Sequence, residues 1–170
     1  MQHNYSFDGE HIILRPMNES TSELYRVLRN REDNREFFFH STIIEKEQQV
    51  KWFNNYLLKE DEYMFSILFP ENYKFVGAIG IYNINQIKKT AEIGRIIIDR
   101  YIGGGKGYGT EAINCVSDIA RRRLGTQELY AYIYSSNTAS VKAFLKADFL
   151  VENKMKDNEK SDFIRVSKFL

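Results

Sequence analysis

The sequence predicts an α/β (α+β) fold built on a mixed, mostly antiparallel, seven-stranded sheet with helices on both faces. Three observations predict it. Strand-like runs cluster between residues 62 and 99, a strong helical repeat of apolar residues fills 107–124, and strand-like and helical runs alternate from 128 onward. Strands in a block, followed by strand–helix–strand units, imply a mixed sheet covered on both sides.

HIILRP (11–16) reads as a first strand closed by Pro16. NESTSELYRVLRN (18–30) opens with cap-type residues and then sets Leu24, Val27 and Leu28 at helical spacing. In STIIEKEQQVKWFNNYLLKE (41–60), Ser41 or Thr42 is the expected cap of a second helix, with Val50, Phe53 and Leu57 on one face. EYMFSILF (62–69), KFVGAIGIYNI (74–84) and TAEIGRIIID (90–99) read as an antiparallel meander, its first turn made by PENY. Ala112, Ile113, Val116, Ile119 and Ala120 fit the repeat of a helix over 107–124, which Gly125 stops. ELYAYIY (128–134) is a strand, NTASVKAFLKA (137–147) a helix capped by Asn137, and FLVENK and DFIRVSKFL a closing pair of strands. The order is βααβββαβαββ, without internal repeats.

A length of 170 residues, 43% hydrophobic content and only two prolines predict one domain over 1–170 with a real core. A net charge of +1 argues against a nucleic-acid partner. Arg121, Arg122 and Arg123 end a helix, where they complement its dipole. The lone Cys115 sits among helical apolar residues and reads as a buried, inert thiol. The opening MQHNYSFDGE lacks the basic start and apolar run of a signal peptide, and no apolar stretch approaches the ~20 residues of a membrane span. A cytoplasmic protein without a membrane partner is expected.

Five glycines occupy the seven positions 103–109, directly before the strongest helix. A phosphate-binding Walker loop requires Ser or Thr after Gly-Lys, but Gly107 follows Lys106. A dinucleotide fingerprint starting at Gly103 or Gly105 meets Tyr108 or Thr110 where its last glycine belongs. What remains is a strand end whose loop turns backbone N–H groups toward a diphosphate, with a helix N-terminus behind them. That arrangement calls for no metal.

GGGKGYGTEA after GRIIID resembles motif A of the GNAT superfamily of N-acetyltransferases, Gln/Arg-x-x-Gly-x-Gly/Ala. Gly107, Tyr108 and Gly109 match its second half, and Gly104 stands where Gln or Arg is expected. NTASVKAFLKADF resembles the family's N-x-x-[AS]-x-x-x-[YL]-x-K-x-G-F segment, with Phe144 at the position where many members carry a proton-donating tyrosine. The resemblance implies that acetyl-coenzyme A is the cofactor. Its pyrophosphate would lie on the main chain of Gly104, Gly105, Lys106, Gly107, Tyr108, Gly109 and Thr110, and its pantetheine arm near Asn137 and Ser140. It implies a sheet splayed between the fourth and fifth strands, and a thioester oxygen bound by the N–H of Ile97 or Ile98.

Amine acetylation needs a base, and Glu92 is the first choice because it lies on the strand expected to line the site; a strand-face ion pair with Lys88 or Arg95 is the alternative. His40, after Phe37, Phe38 and Phe39, is the second choice. Phenyl rings donate no protons, so Tyr134 or Tyr101 is the expected thiolate donor. Tyr82 and Asn83, with Tyr130, Tyr132 or Tyr134, are expected to line the acceptor pocket, Tyr132 on the face opposite the other two. The segment 28–57 is similar to acetyltransferases of nucleotide-linked 4-amino sugars, as in the pseudaminic acid pathway. Such a pocket implies Arg29, Arg31 or Arg35 at phosphate and Trp52 among its aromatics. IILRPM and AEIGR equally suit the branch acting on ribosomal-protein N-termini. A coenzyme-A-binding sensor without activity is the third reading, and a homodimer is compatible with all of them.

Overall fold

The computed structural model describes residues 3–38, 40–156 and 162–170. Phe39, the last of the three phenylalanines before His40, lies outside them. The chain opens with β1 (Phe7–Asp8) and β2 (Ile13–Pro16), then α1 (Glu19–Asn30), a single turn α2 (Glu32–Arg35) and α3 (Lys46–Tyr56). The meander follows as β3 (Tyr63–Leu68), β4 (Phe75–Asn85) and β5 (Thr90–Ile98). Next come a short α4 (Arg100–Gly103), the long α5 (Tyr108–Leu124), β6 (Glu128–Tyr134), α6 (Thr138–Lys146), β7 (Leu150–Lys156) and β8 (Asp162–Phe169). The two-residue β1 makes the sheet eight-stranded rather than seven-stranded, in the order β1-β2-β3-β4-β5-β6-β8-β7.

Every neighbouring pair is antiparallel except β5 and β6. A parallel pair needs a crossover, which α5 supplies. The parallel ladder is short: Thr90 faces Glu128, Ala91 faces Leu129, Glu92 faces Tyr130, and pairing stops there. Both strands run on, to Ile98 and Tyr134, so a wedge opens between them.

Helices cover both faces. Ala112, Ile113, Val116, Ile119 and Ala120 of α5 are buried against Ile79, Ile81, Ile93, Leu129 and Ala131 of the sheet. On the other face Tyr25 and Leu28 of α1 and Phe53 and Tyr56 of α3 pack on Met64, Ala78 and Ile97. Ile113, fully buried, is a single side chain whose truncation to Ala would cost about 2–5 kcal/mol.

The face of α1 differs from its apolar spacing. Leu24 and Val27 are 45% and 51% exposed, and the buried set is Ser22, Tyr25, Leu28 and Arg29. On α3, Val50 is exposed while Gln49, Phe53 and Tyr56 are buried. Hydrogen bonds explain the choice: Gln49 Nε2 donates to Ser22 Oγ at 2.8 Å and to the Ser22 carbonyl at 3.2 Å, joining the helices through satisfied polar groups. Helix α3 also starts at Lys46, not at Ser41 or Thr42. The Asn30 side chain clamps Ile44, accepting from its N–H at 2.9 Å and donating to its carbonyl at 2.8 Å, which holds residue 44 out of a helix.

Two register shifts interrupt the β4–β5 ladder, between Ala78 and Gly80 and between Tyr82 and Asn85. Each coincides with a non-glycine residue at positive φ, Arg95 at 51° on β5 and Asn83 at 53° on β4. Such residues cost about 1–3 kcal/mol each and cluster where backbone is re-aimed for a purpose.

Candidate active site

Asp99 follows β5 and caps α4, its side chain accepting from the Tyr101 N–H at 3.0 Å. The Gly103 N–H then donates to the Asp99 carbonyl and the Gly104 N–H to the Arg100 carbonyl. A Cβ on Gly104 would stand 2.5 Å from that carbonyl, so only glycine fits. Gly107, at φ 86°, caps α5 without a side chain. The first backbone bond of α5 is Glu111 N–H to the Gly107 carbonyl. Among the described residues, the N–H groups of Gly105, Gly107, Tyr108, Gly109 and Thr110 have no hydrogen-bond partner. Five free amides around a helix N-terminus fit a diphosphate, and with it coenzyme A. Gly104 and Lys106 instead spend their N–H groups inside the loop, the latter on the Gly103 carbonyl at 3.4 Å.

A cleft of about 690 Å³ runs from α6, where Asn137 and Ser140 line it, through the β5–β6 wedge to the wall formed by α1 and α3. Asn137 caps α6, its Oδ1 accepting from the Ser140 N–H at 3.1 Å. Phe144 also lines the cleft, 1% exposed and edge-on to Phe149 at 5.0 Å. The stretch of β5 on the cleft is Glu92 to Ile96. Ile97 and Ile98 face Ala78 and Gly77 in the ladder and do not line it. Arg95 and Ile96, at the bulge, face no residue of β4.

Glu92 is 8% exposed at the end of the parallel ladder. Tyr82 donates to its Oε1 at 3.0 Å and the Asn83 amide to its Oε2 at 2.8 Å. The ion pair with Lys88 or Arg95 does not form; Arg95 instead binds the buried Glu62 at 2.5 Å, which Lys59 also reaches at 3.0 Å. Burial, and then the charge of Glu92, push the Tyr82 hydroxyl well above its ordinary value, so it stays a donor to the carboxylate. The Arg95 guanidinium lies 4.5 Å from the Tyr82 ring and 5.9 Å from the Trp52 ring. Trp52 itself stacks on Tyr56 at 5.6 Å.

Tyr134 lines the cleft with its ring against Phe163 at 4.6 Å, whereas Tyr101 is 79% exposed beneath Arg31 and outside the cleft. Tyr130 and Tyr132 meet edge-on at 5.8 Å. The expectation that Tyr132 points away from Tyr130 and Tyr134 therefore fails, because residues two apart on a strand share a face. His40 lines the cleft as an exposed side chain. The three arginines part company. Arg29 lines the cleft; Arg31 binds Asp33 and Asp99 at 3.2 and 3.0 Å, and neither it nor Arg35 on α2 is among the lining residues. Sequence reasoning missed the pairing of Arg95 with Glu62, since a glutamate 33 positions from its arginine carries no local signal. Among the described residues no group of three or more His, Cys, Asp or Glu side chains could hold a metal, and no helix is long and apolar enough to cross a membrane.

The profile of the family described as "Acetyltransferase (GNAT) domain" matches residues 11–150. A probable N-acetyltransferase of Bacillus subtilis, YjcK, is 26% identical over 162 residues, covering 89% of this chain and 87% of that protein. In structure the chain resembles the spermidine N-acetyltransferase of Vibrio cholerae in complex with CoA and spermine, with a TM-score of 0.82, 19% identity, and 94% and 95% of the two chains covered. It resembles equally RimL, the ribosomal L7/L12 alpha-N-protein acetyltransferase in complex with coenzyme A, with a TM-score of 0.83, 17% identity, and 98% of each chain covered. At such identities these two likenesses show the fold.

Proposed function

The chain belongs to the acetyltransferase (GNAT) domain family, the acetyl-coenzyme-A-dependent acyltransferases, and on that premise we propose that the whole of 1–170 is one N-acetyltransferase domain acting on a small amino sugar, a nucleotide-linked 4-amino sugar. Acetyl-coenzyme A supplies the activated acetyl thioester. The free amides of Gly105 and Gly107–Thr110 hold the diphosphate, and Asn137 and Ser140 flank the pantetheine arm. The bulge at Arg95 and Ile96 offers main-chain N–H to the thioester oxygen; loss of one such donor costs on the order of 100- to 1000-fold in rate.

Glu92 takes the proton from the attacking amine. Tyr82 and Asn83 hold its two oxygens in place, and Tyr134 is the group that returns a proton to the departing thiolate. His40, at the rim, contacts the acceptor rather than the reacting atoms. The observation that carries the acceptor reading is the composition of the far wall: among the described residues Glu92 is the only carboxylate lining the cleft, and Phe37, Phe38 and Trp52 supply flat apolar surface. A single acid suits one amine and aromatic walls suit a sugar and base, whereas a peptide groove or a polyamine calls for several acids.

The test is release of free coenzyme A from acetyl-coenzyme A with three acceptors: a nucleotide-linked 4-amino sugar, a ribosomal-protein N-terminal peptide and spermidine. The amino sugar should give the highest kcat/KM. Preference for the peptide or the polyamine overturns the acceptor, and coenzyme binding without turnover of any amine makes the protein a sensor.

A further inference from the structure

Arg29 sits in the last turn of α1, 9% exposed, on the wall of the cleft. Its Nη2 donates to the His40 carbonyl at 2.7 Å, and its guanidinium carbon stands 4.5 Å from the centre of the Phe38 ring. Among the described residues no carboxylate pairs with it. The other arginine of the cleft, Arg95, is committed to Glu62, and Arg31 to Asp33 and Asp99. Burial holds the Arg29 pKa below the ordinary arginine value, outweighing a pull from Tyr25, and the charge of Arg95 adds to the lowering. Nε and Nη1 have no hydrogen-bond partner among the described residues, yet the only sealed, unpartnered side-chain atoms there are His3 Nδ1 and Thr126 Oγ1. The free nitrogens of Arg29 are therefore not sealed, on a residue that lines the cleft.

A guanidinium removed from water without a counter-ion is destabilising, and its planar fork of donors fits the paired oxygens of a carboxylate or phosphate. We propose that Arg29 is an anion-recognition site at the acceptor end of the cleft, so that the true acceptor is an amine that also carries an oxyanion, a carboxylate or a phosphate. The role given to the amine rests on the acetyl-transfer reading above; the anion site does not. Glu92 takes the cationic end of such a molecule and Arg29 its anionic end, and polycations are selected against.

Trp52, the only tryptophan of the chain, lines the same cleft and reports on its occupancy by fluorescence. The protein is saturated with coenzyme A, so that anions cannot occupy the loop amides, and titrated with inorganic phosphate, with acetate and with spermidine. A saturable response to phosphate or acetate is expected, its midpoint raised at least about tenfold by Arg29→Gln, the weight of a charge-assisted hydrogen bond. Response to phosphate alone marks a phosphorylated acceptor, to acetate alone a carboxylated one. Equal midpoints in the two proteins, no saturable response to either anion, or saturation by spermidine overturns the proposal. Should Arg29→Gln fail to fold, Arg29→Lys takes its place: it keeps the charge but loses the fork, and an unchanged midpoint again overturns the proposal. Amine turnover by the wild-type protein without any anion binding rejects this inference alone; anion binding by the wild-type protein without turnover rejects only the amine reading.

Discussion

Tyr82 and Glu92 face each other across the β4–β5 ladder, and the Tyr82 hydroxyl donates to Glu92 Oε1 at 3.0 Å. A carboxylate held by a neighbouring strand's phenol, and on its other oxygen by Asn83, cannot rotate away from the cleft. Glu92→Gln keeps the shape and removes the carboxylate. Turnover should fall about 100- to 10,000-fold, with the largest loss at low pH, where more of the amine arrives protonated. A flat pH response in steady-state kinetics would reduce Glu92 to a structural partner.

Tyr82→Phe removes the donor but keeps the ring beneath Arg95. We expect kcat to fall about 10- to 150-fold, the range of a lost hydrogen bond to a charged group, while KM for acetyl-coenzyme A stays put. A change confined to that KM would place Tyr82 in coenzyme binding instead.

Valine at Gly107 forces a β-branched residue to φ 86°. At Gly109 its Cβ would meet Ala143 and Ile98 at an ordinary 3.8 Å, so the fold tolerates it while the added methyls crowd the amides. The double variant should fold by circular dichroism and bind coenzyme A at least about 100-fold more weakly by calorimetry. Unchanged affinity removes the loop from the coenzyme site.

Glu62 supplies a stability prediction with a pH sign. Burial opposes its ionisation, but the hydrogen bond and charge of Arg95 outweigh it and leave its pKa below the ordinary 4.5. The pair therefore contributes fully above that ordinary value, and its contribution is lost as pH falls through the lower folded value. Glu62→Gln should destabilise the protein by about 3 kcal/mol at pH 7, by urea unfolding, and the gap to wild type should close as pH falls below about 4.

Arg31 joins the α1–α2 corner to Asp99, the cap in front of the glycine loop. Arg31→Ala should raise KM for acetyl-coenzyme A about two- to fivefold, the scale of a partly exposed pair, and leave KM for the acceptor unchanged. The opposite split would return Arg31 to the acceptor pocket.

Much of this was legible in the sequence. The order of helices and meander, the Gly125 stop, the Asn137 cap and the glycine loop each rest on local chemistry that a few neighbouring residues determine. The rest depended on partners far along the chain. The buried face of α1 was set by the Gln49–Ser22 bonds and not by the spacing of Leu24 and Val27. The start of α3 was set by Asn30 reaching Ile44. The bulges at Asn83 and Arg95 stayed hidden because turn reasoning looks for glycine at positive φ, and tertiary contacts can hold other residues there.

The brief parallel ladder has one more consequence. Past Glu92 and Tyr130 the facing edges of β5 and β6 are two half-finished strands, and what completes a half-finished strand is another extended backbone. A linear molecule bearing amides at peptide-like intervals answers both edges at once, whatever substituents it carries. A ligand seated there would be selected by spacing and length, with chemical discrimination left to the two ends of the wedge.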